Sequence, residues 1–320
     1  MKIIFNKNNS DTNDANTAVA LGTFDGVHLG HRRLIYTLKQ LKKQQGCSTM
    51  VYTFARHPME VIAPNDAPSI LMDMQQRIRI FNSLGIDRLI LNEFDLNFSL
   101  IEPEKFIDIL TNNYNVSYIV VGYNFKFGSK GIGDVHLLEQ LSNKKGFELI
   151  VVPPVRINGD VVSSSFIRQL ISDGRVGYAA KLLGMPYSID GFVTHGFQRG
   201  RTLGFPTVNL KFNSKRVVPA FGVYLTLVDV GQSMMWGVTN VGRNPTFNGK
   251  NIHIETYIMN YEGDLYDKKI RLYFIDKIRE ERKFNDREEL KTQINKDVKI
   301  AKRCIYNFIQ MCYNTKGEIN

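Results

Sequence analysis

The chain has 320 residues, 43% hydrophobic and 22% charged, with 41 Lys plus Arg against 31 Asp plus Glu for a formal charge of +10. That length exceeds one compact domain and suits two, and the composition is unlike that of a disordered or fibrous chain. The positive balance suits polyanionic partners such as nucleotides. Its densest basic stretch, Lys268 to Arg303, is interleaved with Asp276, Glu280, Glu281, Asp286, Glu288, Glu289 and Asp297, which reads as a solvated helix face, so no nucleic-acid partner is expected.

Cys47, Cys304 and Cys312 are odd in number and show no CxxC spacing, which argues against a disulfide framework or a zinc site and for a reducing cytosol. The N-terminal MKIIFNKNNSD has too short an apolar run for a signal peptide, and no stretch approaches the ~20 apolar residues that span a bilayer. A cytoplasmic protein with no membrane partner is expected. Nothing in the sequence bears on oligomeric state.

From the N-terminus, AVALG at 18–22 is the first short apolar run, followed by GTFDGVHLGH, Gly22 to His31. The amphipathic RRLIYTLKQLKKQQG follows, then the runs TMVYTF, RLILN, YIVVG and ELIVVP, with PEKFIDILTNNY as a further helical segment. Continuous apolar strands alternating with helices predict a doubly wound, Rossmann-like parallel sheet covered on both faces. The motif Gly22–His31 then sits where a parallel strand hands over to a helix, the place where open α/β sheets bind ligands. His28 and His31 fall on one face of the first helical turn. Gly30 leaves room for a phosphate, and free backbone N–H groups with the helix dipole favour an anion. Two histidines there can donate hydrogen bonds to a pentavalent phosphorus and to departing pyrophosphate. The plain structural account is a glycine-rich turn with Asp25 as a helix cap and incidental histidines. Ten consecutive residues, however, resemble the nucleotidyltransferases that carry HxGH, so Gly22, Phe24, Asp25, Gly30 and the two histidines are assigned to ATP phosphate binding.

A second phosphate clamp is expected in VSSSFIR, where Ser163, Ser164 and Ser165 can cap a helix start and Arg168 offers a charged fork one turn later. Between them, TFARHP and GYNFKFGSKGIGD open on the same sheet edge. Phe54, Tyr123, Phe125 and Phe127 either line a flat-ring pocket or simply pack. His57 and Asn124 are candidates for recognition rather than chemistry.

SSSFIRQLISDGRVGYAAKLLG reads as two short helices split at Gly174, and near Met185–Pro186 the rhythm changes. Two domains, 1–184 and 185–320, are expected. FVTH, TVNL, VYLTLVDV, MMWGVTNV, HIETYIM and IRLYFI, punctuated by Gly, Pro and Asn, predict an antiparallel barrel or sandwich. Leu290, Ile294, Val298, Ala301, Ile305 and Ile309 then place one long helix over Asp286–Cys312. In GRTLGFPTVN, Gly200 and Gly204 keep a loop open for phosphates beside Arg201, Pro206 stiffens it, and Thr207 and Asn209 share one strand face. A hydroxyl and an amide so placed suit Mg²⁺ bound with ATP, with Thr207 as the protein ligand.

The ordered set GTFDGVHLGH, FARHP, GYNFKFG, VSSSFIR, HGFQRGRTLGFPTVNL, GVTNVGRNPTF and IETYIMNYEGDLYDKKIRLYF resembles the bacterial bifunctional riboflavin kinase/FAD synthetases. The resemblance implies an N-terminal domain that adenylylates FMN with ATP to FAD and pyrophosphate. It also implies a C-terminal barrel that phosphorylates riboflavin to FMN with Glu255 as general base, while His28 and His31 are the catalytic residues of the N-terminal adenylylation. Arg56 departs from the family's FDPHP, Ser165 from its SST, Tyr257 stands where it often has histidine, and Asp267 where it usually has glycine. Alternatives are an FMN adenylyltransferase with an inactive flavin-binding kinase half, and a flavin-responsive RNA-binding regulator.

Overall fold

The computed structural model describes residues 1–5, 16–195, 204–243 and 252–317, the last of these without side chains beyond 306. Contacts divide the chain into two compact units, Met1–Ser164 and Ser165–Asn320.

The first unit is built on six strands: β1 (Lys2–Phe5), β2 (Thr17–Leu21), β3 (Ser48–Phe54), β4 (Arg88–Asn92), β5 (Val116–Gly122) and β6 (Glu148–Val152). All pair in parallel, in the order β1-β4-β3-β2-β5-β6. Parallel strands need crossovers, and these are α1 (Leu29–Gln45), α2 (Met59–Ile62), α3 (Met74–Ser83), α4 (Leu96–Ser99), α5 (Pro103–Tyr114) and α6 (Val135–Lys145). Every residue of β2 is buried, because helices cover both faces of the sheet centre. On α1 the buried residues Leu34, Ile35, Leu38 and Leu41 follow the helical period, and Gly46 ends the helix at φ 67° by donating its N–H to Lys42 O. A capping box, Asp73 with Gln76, starts α3. The chain runs outward from β2 to β3 and β4, then returns to β5 on the other side of β2. A crevice therefore opens beyond the carboxyl ends of β2 and β5, where Gly22 and Gly122 stand.

The doubly wound expectation holds. The edge strand β1 was not expected, since KIIF is four residues long with only Ile4 buried. A short hairpin, β7 (Arg156–Ile157) and β8 (Asp160–Val161), leads to α7 (Ser164–Ser172).

The second unit holds α8 (Val176–Leu183), which with α7 gives the expected helix pair broken at Gly174, φ 78°. Six strands follow: β9 (Tyr187–Thr194), β10 (Thr207–Phe212), β11 (Gly222–Asp229), β12 (Met234–Arg243), β13 (Ile252–Ile258) and β14 (Lys269–Arg279). They close antiparallel in the order β10-β13-β12-β11-β14-β9, so the barrel reading, not the sandwich, is the fold. Tyr187, Ile189, Tyr224, Val241, Leu272 and Phe274 are buried in it. So is a hydroxyl row, Thr226 to Thr239 at 2.8 Å and Thr239 to Thr256 at 2.9 Å.

The terminal helix α9 (Arg287–Gly317) packs Val298, Ala301, Cys304 and Ile305 on Val223, Leu225, Val238 and Met259. Its electrostatic anchor is Asp297, 2% exposed, which accepts Arg279 Nε at 2.9 Å, Arg279 Nη2 at 2.8 Å and Gln293 Nε2 at 2.8 Å. Removing one partner of such a pair leaves the other charge without compensation in a low-dielectric setting. Asp297→Ala is therefore expected to cost about 3 kcal/mol, read as a lower urea midpoint for the barrel; an unchanged midpoint would show that α9 docks through its apolar face alone.

Candidate active sites

Between β2 and α1 the chain makes a turn that ordinary residues resist. Phe24, Gly26 and Val27 take φ of 51°, 88° and 37°. Glycine adopts such angles freely, but a β-branched valine does not, so the turn needs external support. Part of it is apolar: the Phe24 and Val27 side chains are fully buried, and Phe24 meets Phe81 edge-on at 5.5 Å.

The rest is polar. The buried Asp25 carboxylate accepts the backbone N–H of Leu71 at 3.0 Å and of Met72 at 3.1 Å. Those bonds tie the turn to the segment before α3. The helix N-cap is instead His28, whose Nδ1 accepts the His31 N–H at 3.3 Å. From α3, the buried Arg77 donates Nη1 to Thr23 O at 2.9 Å and Nη2 to Phe54 O at 2.9 Å. Thr53 adds its hydroxyl to Thr23 O at 3.1 Å, and Ser164 Oγ donates to Asp25 O at 2.8 Å. Sequence reasoning missed Arg77. The available signal was an arginine at the position i−4 from Phe81, where the apolar stripe of α3 calls for a hydrophobic residue.

The two imidazoles stack at 3.7 Å between centroids with 14° between planes, and Phe24 leans on His31 at 5.0 Å. His31 Nδ1 is enclosed and has no hydrogen-bond partner. Enclosure, then the nearby His28 and Arg77 charges, hold the His31 pKa well below the ordinary histidine value. A depressed pKa means that the proton leaves at lower pH, so the ring is neutral at pH 7. Gly30 allows this crowding, since a Cβ there would lie 3.0 Å from His28 Cε1 and 3.6 Å from Val162 O.

Around this turn, His57 Nδ1 accepts the Met59 N–H at 3.2 Å at the start of α2. Phe54 packs edge-on against Phe94 and Phe98, at 5.1 and 5.5 Å. Phe127 belongs to the unit's core and stacks with Phe125 at 5.7 Å, whereas Tyr123 and Asn124 are exposed. Ser163 and Ser164 are half-buried and Ser165 is exposed. Arg168, half-buried, stands one turn beyond Ser164 on α7.

The barrel carries a second polar group of residues. Asn209 on β10 lies directly opposite Glu255 on β13, which lies opposite Asn240 on β12. Cross-strand neighbours share a face, so Thr207, Asn209, Glu255 and Asn240 present their side chains together. The Thr207 hydroxyl donates to Glu255 Oε1 at 2.5 Å. Asn240 Nδ2 and His253 Nε2 stand 3.2 Å apart; neither was foreseen, although GVTN and HIET lie on adjoining strands. Gly204 has φ 83° with open space around it, Pro206 is exposed, and Phe205 meets Tyr257 edge-on at 5.2 Å. Gly200 and Arg201 lie outside the described residues. Asp267 adopts φ 58°, a left-handed conformation that aspartate tolerates better than most residues.

A parallel sheet with an HxGH turn at its switch point, followed by a closed barrel carrying a Thr–Asn–Glu face, defines a nucleotide-dependent transferase with two sites. An FAD synthetase family model matches residues 10–166 and a riboflavin kinase model residues 183–305. The bifunctional riboflavin kinase/FMN adenylyltransferase of Buchnera aphidicola subsp. Schizaphis graminum is 33% identical, covering 95% of this chain and 98% of its own. That of Bacillus subtilis is 36% identical, covering 92% and 94%. The chain belongs to the bifunctional riboflavin kinase/FMN adenylyltransferase family, and it joins both enzymes in one polypeptide. A crystal structure described as a macrolide-efflux protein from Streptococcus pneumoniae superposes with TM-score 0.86 at 31% identity, covering 94% of this chain and 99% of that one. Among the described residues, no helix is long and apolar enough to cross a membrane.

The His31 environment makes a direct prediction. In a proton-NMR titration its ring signal should shift with a midpoint clearly below that of a free histidine; an ordinary midpoint would mean that the stacked pair is solvated in solution.

Proposed function

We propose that adenylyl transfer takes place at the Gly22–His31 turn and riboflavin phosphorylation at the Thr207–Glu255 face, with FMN from the second consumed by the first. The observation that carries the first assignment is the Ser164 to Asp25 hydrogen bond, which joins the serine-rich motif to the histidine turn across 139 residues. In this reading Gly22, Phe24, Asp25 and Gly30 shape the phosphate cradle, Asp25 by fixing the turn. Ser163, Ser164, Ser165 and Arg168 contact phosphate oxygens. Phe54, His57, Asn124, Phe125 and Phe127 serve flavin and adenine recognition, with Phe127 supporting the others from the core.

An FMN phosphate oxygen attacks the α-phosphorus of ATP, the bond to the β-phosphate breaks, and pyrophosphate leaves. The His28 imidazole and the neutral His31 imidazole donate N–H hydrogen bonds to the oxygens that gain charge. No proton need be gained for this at pH 7.

In the barrel, the riboflavin 5'-hydroxyl attacks the γ-phosphorus, its proton passes to Glu255, and ADP leaves. Gly204 and Pro206, with Gly200 and Arg201 before them, border the ATP phosphates. Thr207 and Asn209 offer neutral oxygens beside one carboxylate. That donor set fits Mg²⁺, which takes hard oxygen ligands and relies on substrate phosphates for the remainder. Among the described residues no cluster of three or more His, Cys, Asp or Glu forms a separate metal cage. The ion would neutralise phosphate charge when bound with ATP, held by Thr207. The functional halves are taken to meet at Gly184–Met185, beside residue 183 where the riboflavin kinase match begins. The partners are ATP, riboflavin, FMN and FAD, with no nucleic acid and a cytoplasmic setting.

Incubation with riboflavin and Mg-ATP, followed by separation of riboflavin, FMN and FAD, tests both sites. His28→Ala or His31→Ala should cut FAD formation by about 10²- to 10⁴-fold while FMN still accumulates. Glu255→Ala should stop FMN formation by a similar factor and leave supplied FMN convertible to FAD. Equal loss of both products in either variant would contradict two separate sites, and wild-type protein that converts only supplied FMN would mark an inactive kinase half.

A further inference from the structure

The buried residues of α3 are Gln76, Arg77 and Phe81. A guanidinium on a buried helix face is costly unless its N–H groups are used, and here they are used on the active-site loops. One side of the planar fork reaches Thr23 O, within the histidine turn, at 2.9 Å. The other reaches Phe54 O at 2.9 Å and Ala55 O at 3.4 Å, where β3 passes into the FARHP segment. Thr53 Oγ1 lies 3.4 Å from Nη1. The acceptors are main-chain carbonyls of two segments, which the Thr53 hydroxyl also joins by donating to Thr23 O at 3.1 Å. Arginine alone combines a fixed distance between two donor nitrogens with a permanent charge; the single ammonium of lysine cannot set that spacing.

We infer that Arg77 is a positioning residue for adenylyl transfer: its guanidinium fixes the spacing between the phosphate-binding Gly22–His31 turn and the Phe54–Pro58 segment beside it. This rests on the assignment of adenylyl transfer to that turn. Arg77 acts on His31 as well as on the backbone. The groups bearing on the His31 ring are His28, stacked on it from the helix cap, Phe24 from the turn, and the Arg77 cation from α3. The carboxylate closest in sequence, Asp25, accepts the N–H groups of Leu71 and Met72 and, with Asp73, faces Arg77 rather than adding to the causes acting on His31. The Arg77 charge thus opposes protonation of His31 and helps keep it a neutral donor. Geometry and charge come from one side chain, and substitutions separate them.

The test uses the full chain with Arg77→Lys and Arg77→Met. FAD formation from supplied FMN is measured as kcat and as KM for ATP from about pH 5 to about pH 8, with riboflavin phosphorylation by the same samples as the control for folding. Arg77→Met should lower kcat/KM by about 10²-fold, the scale of a displaced loop. It should also move the acid limb to higher pH, since His31 takes up its proton more readily without the neighbouring cation. Arg77→Lys keeps the charge, so its acid limb should stay in place while kcat/KM still falls. An Arg77→Met enzyme with wild-type kcat/KM, or one slowed with no movement of the acid limb, overturns the proposal. If Arg77→Met loses kinase activity too and fails to fold, Arg77→Lys decides: unchanged kcat/KM overturns the proposal. Wild-type protein that forms no FAD from FMN would instead refute the assignment of the site itself.

Discussion

Phe24 and Val27 hold backbone angles that L-residues with side chains avoid, and the histidine turn exists only while they do. Left-handed geometry at a residue other than glycine costs about 1–3 kcal/mol at each position. Full burial of the two side chains offsets this by a similar amount. The hydrogen bonds do something different: they decide which of several compact turns is formed. Asp25 reaches Leu71 and Met72, Arg77 and Thr53 reach Thr23 O, and Ser164 reaches Asp25 O. Four separate segments thus converge on six residues of chain. Their combined effect is to end the turn with His28 as a helix cap and His31 stacked on it.

The two proposed sites are built in different ways. The first is a product of main-chain geometry: a parallel sheet that reverses its order beside β2, a helix N-terminus, and a glycine where a Cβ would press on His28. The second is a product of strand register. Three neighbouring strands bring Asn209, Glu255 and Asn240 into line, and the diagonal neighbour Thr207 bonds to the carboxylate. A slip of one residue in β10 would turn Thr207 and Asn209 to the opposite face, so closure of the barrel is a condition of that chemistry.

Much of this was legible in the sequence. The strands of the parallel sheet are continuous apolar runs, because both faces are covered, and GTFDGVHLGH announced the turn between the first such run and its helix. The break at Gly174 followed from local backbone preference. What stayed hidden depended on distant partners. KIIF becomes an edge strand only because β4 lies beside it. Asp25 looked like a cap for α1, but its acceptor oxygens serve N–H groups 46 and 47 residues away. Arg77 is turned inward only by the packing of α3. Barrel and sandwich share the same strand pattern, and only the β9–β10 and β9–β14 pairings distinguish them.

The bond from Ser164 to Asp25 spans 139 residues and lies at the last position of the first unit. During synthesis the histidine turn emerges early, whereas the hydroxyl that completes it appears only after the whole sheet has been made. Ribosomes add roughly 5–20 residues per second, so for several seconds the nascent chain carries the turn without this restraint. Loop closure over such a distance is slow and entropically costly. The order of translation therefore delays completion of the turn: the part of the chain read first is finished last, when its sheet is already whole.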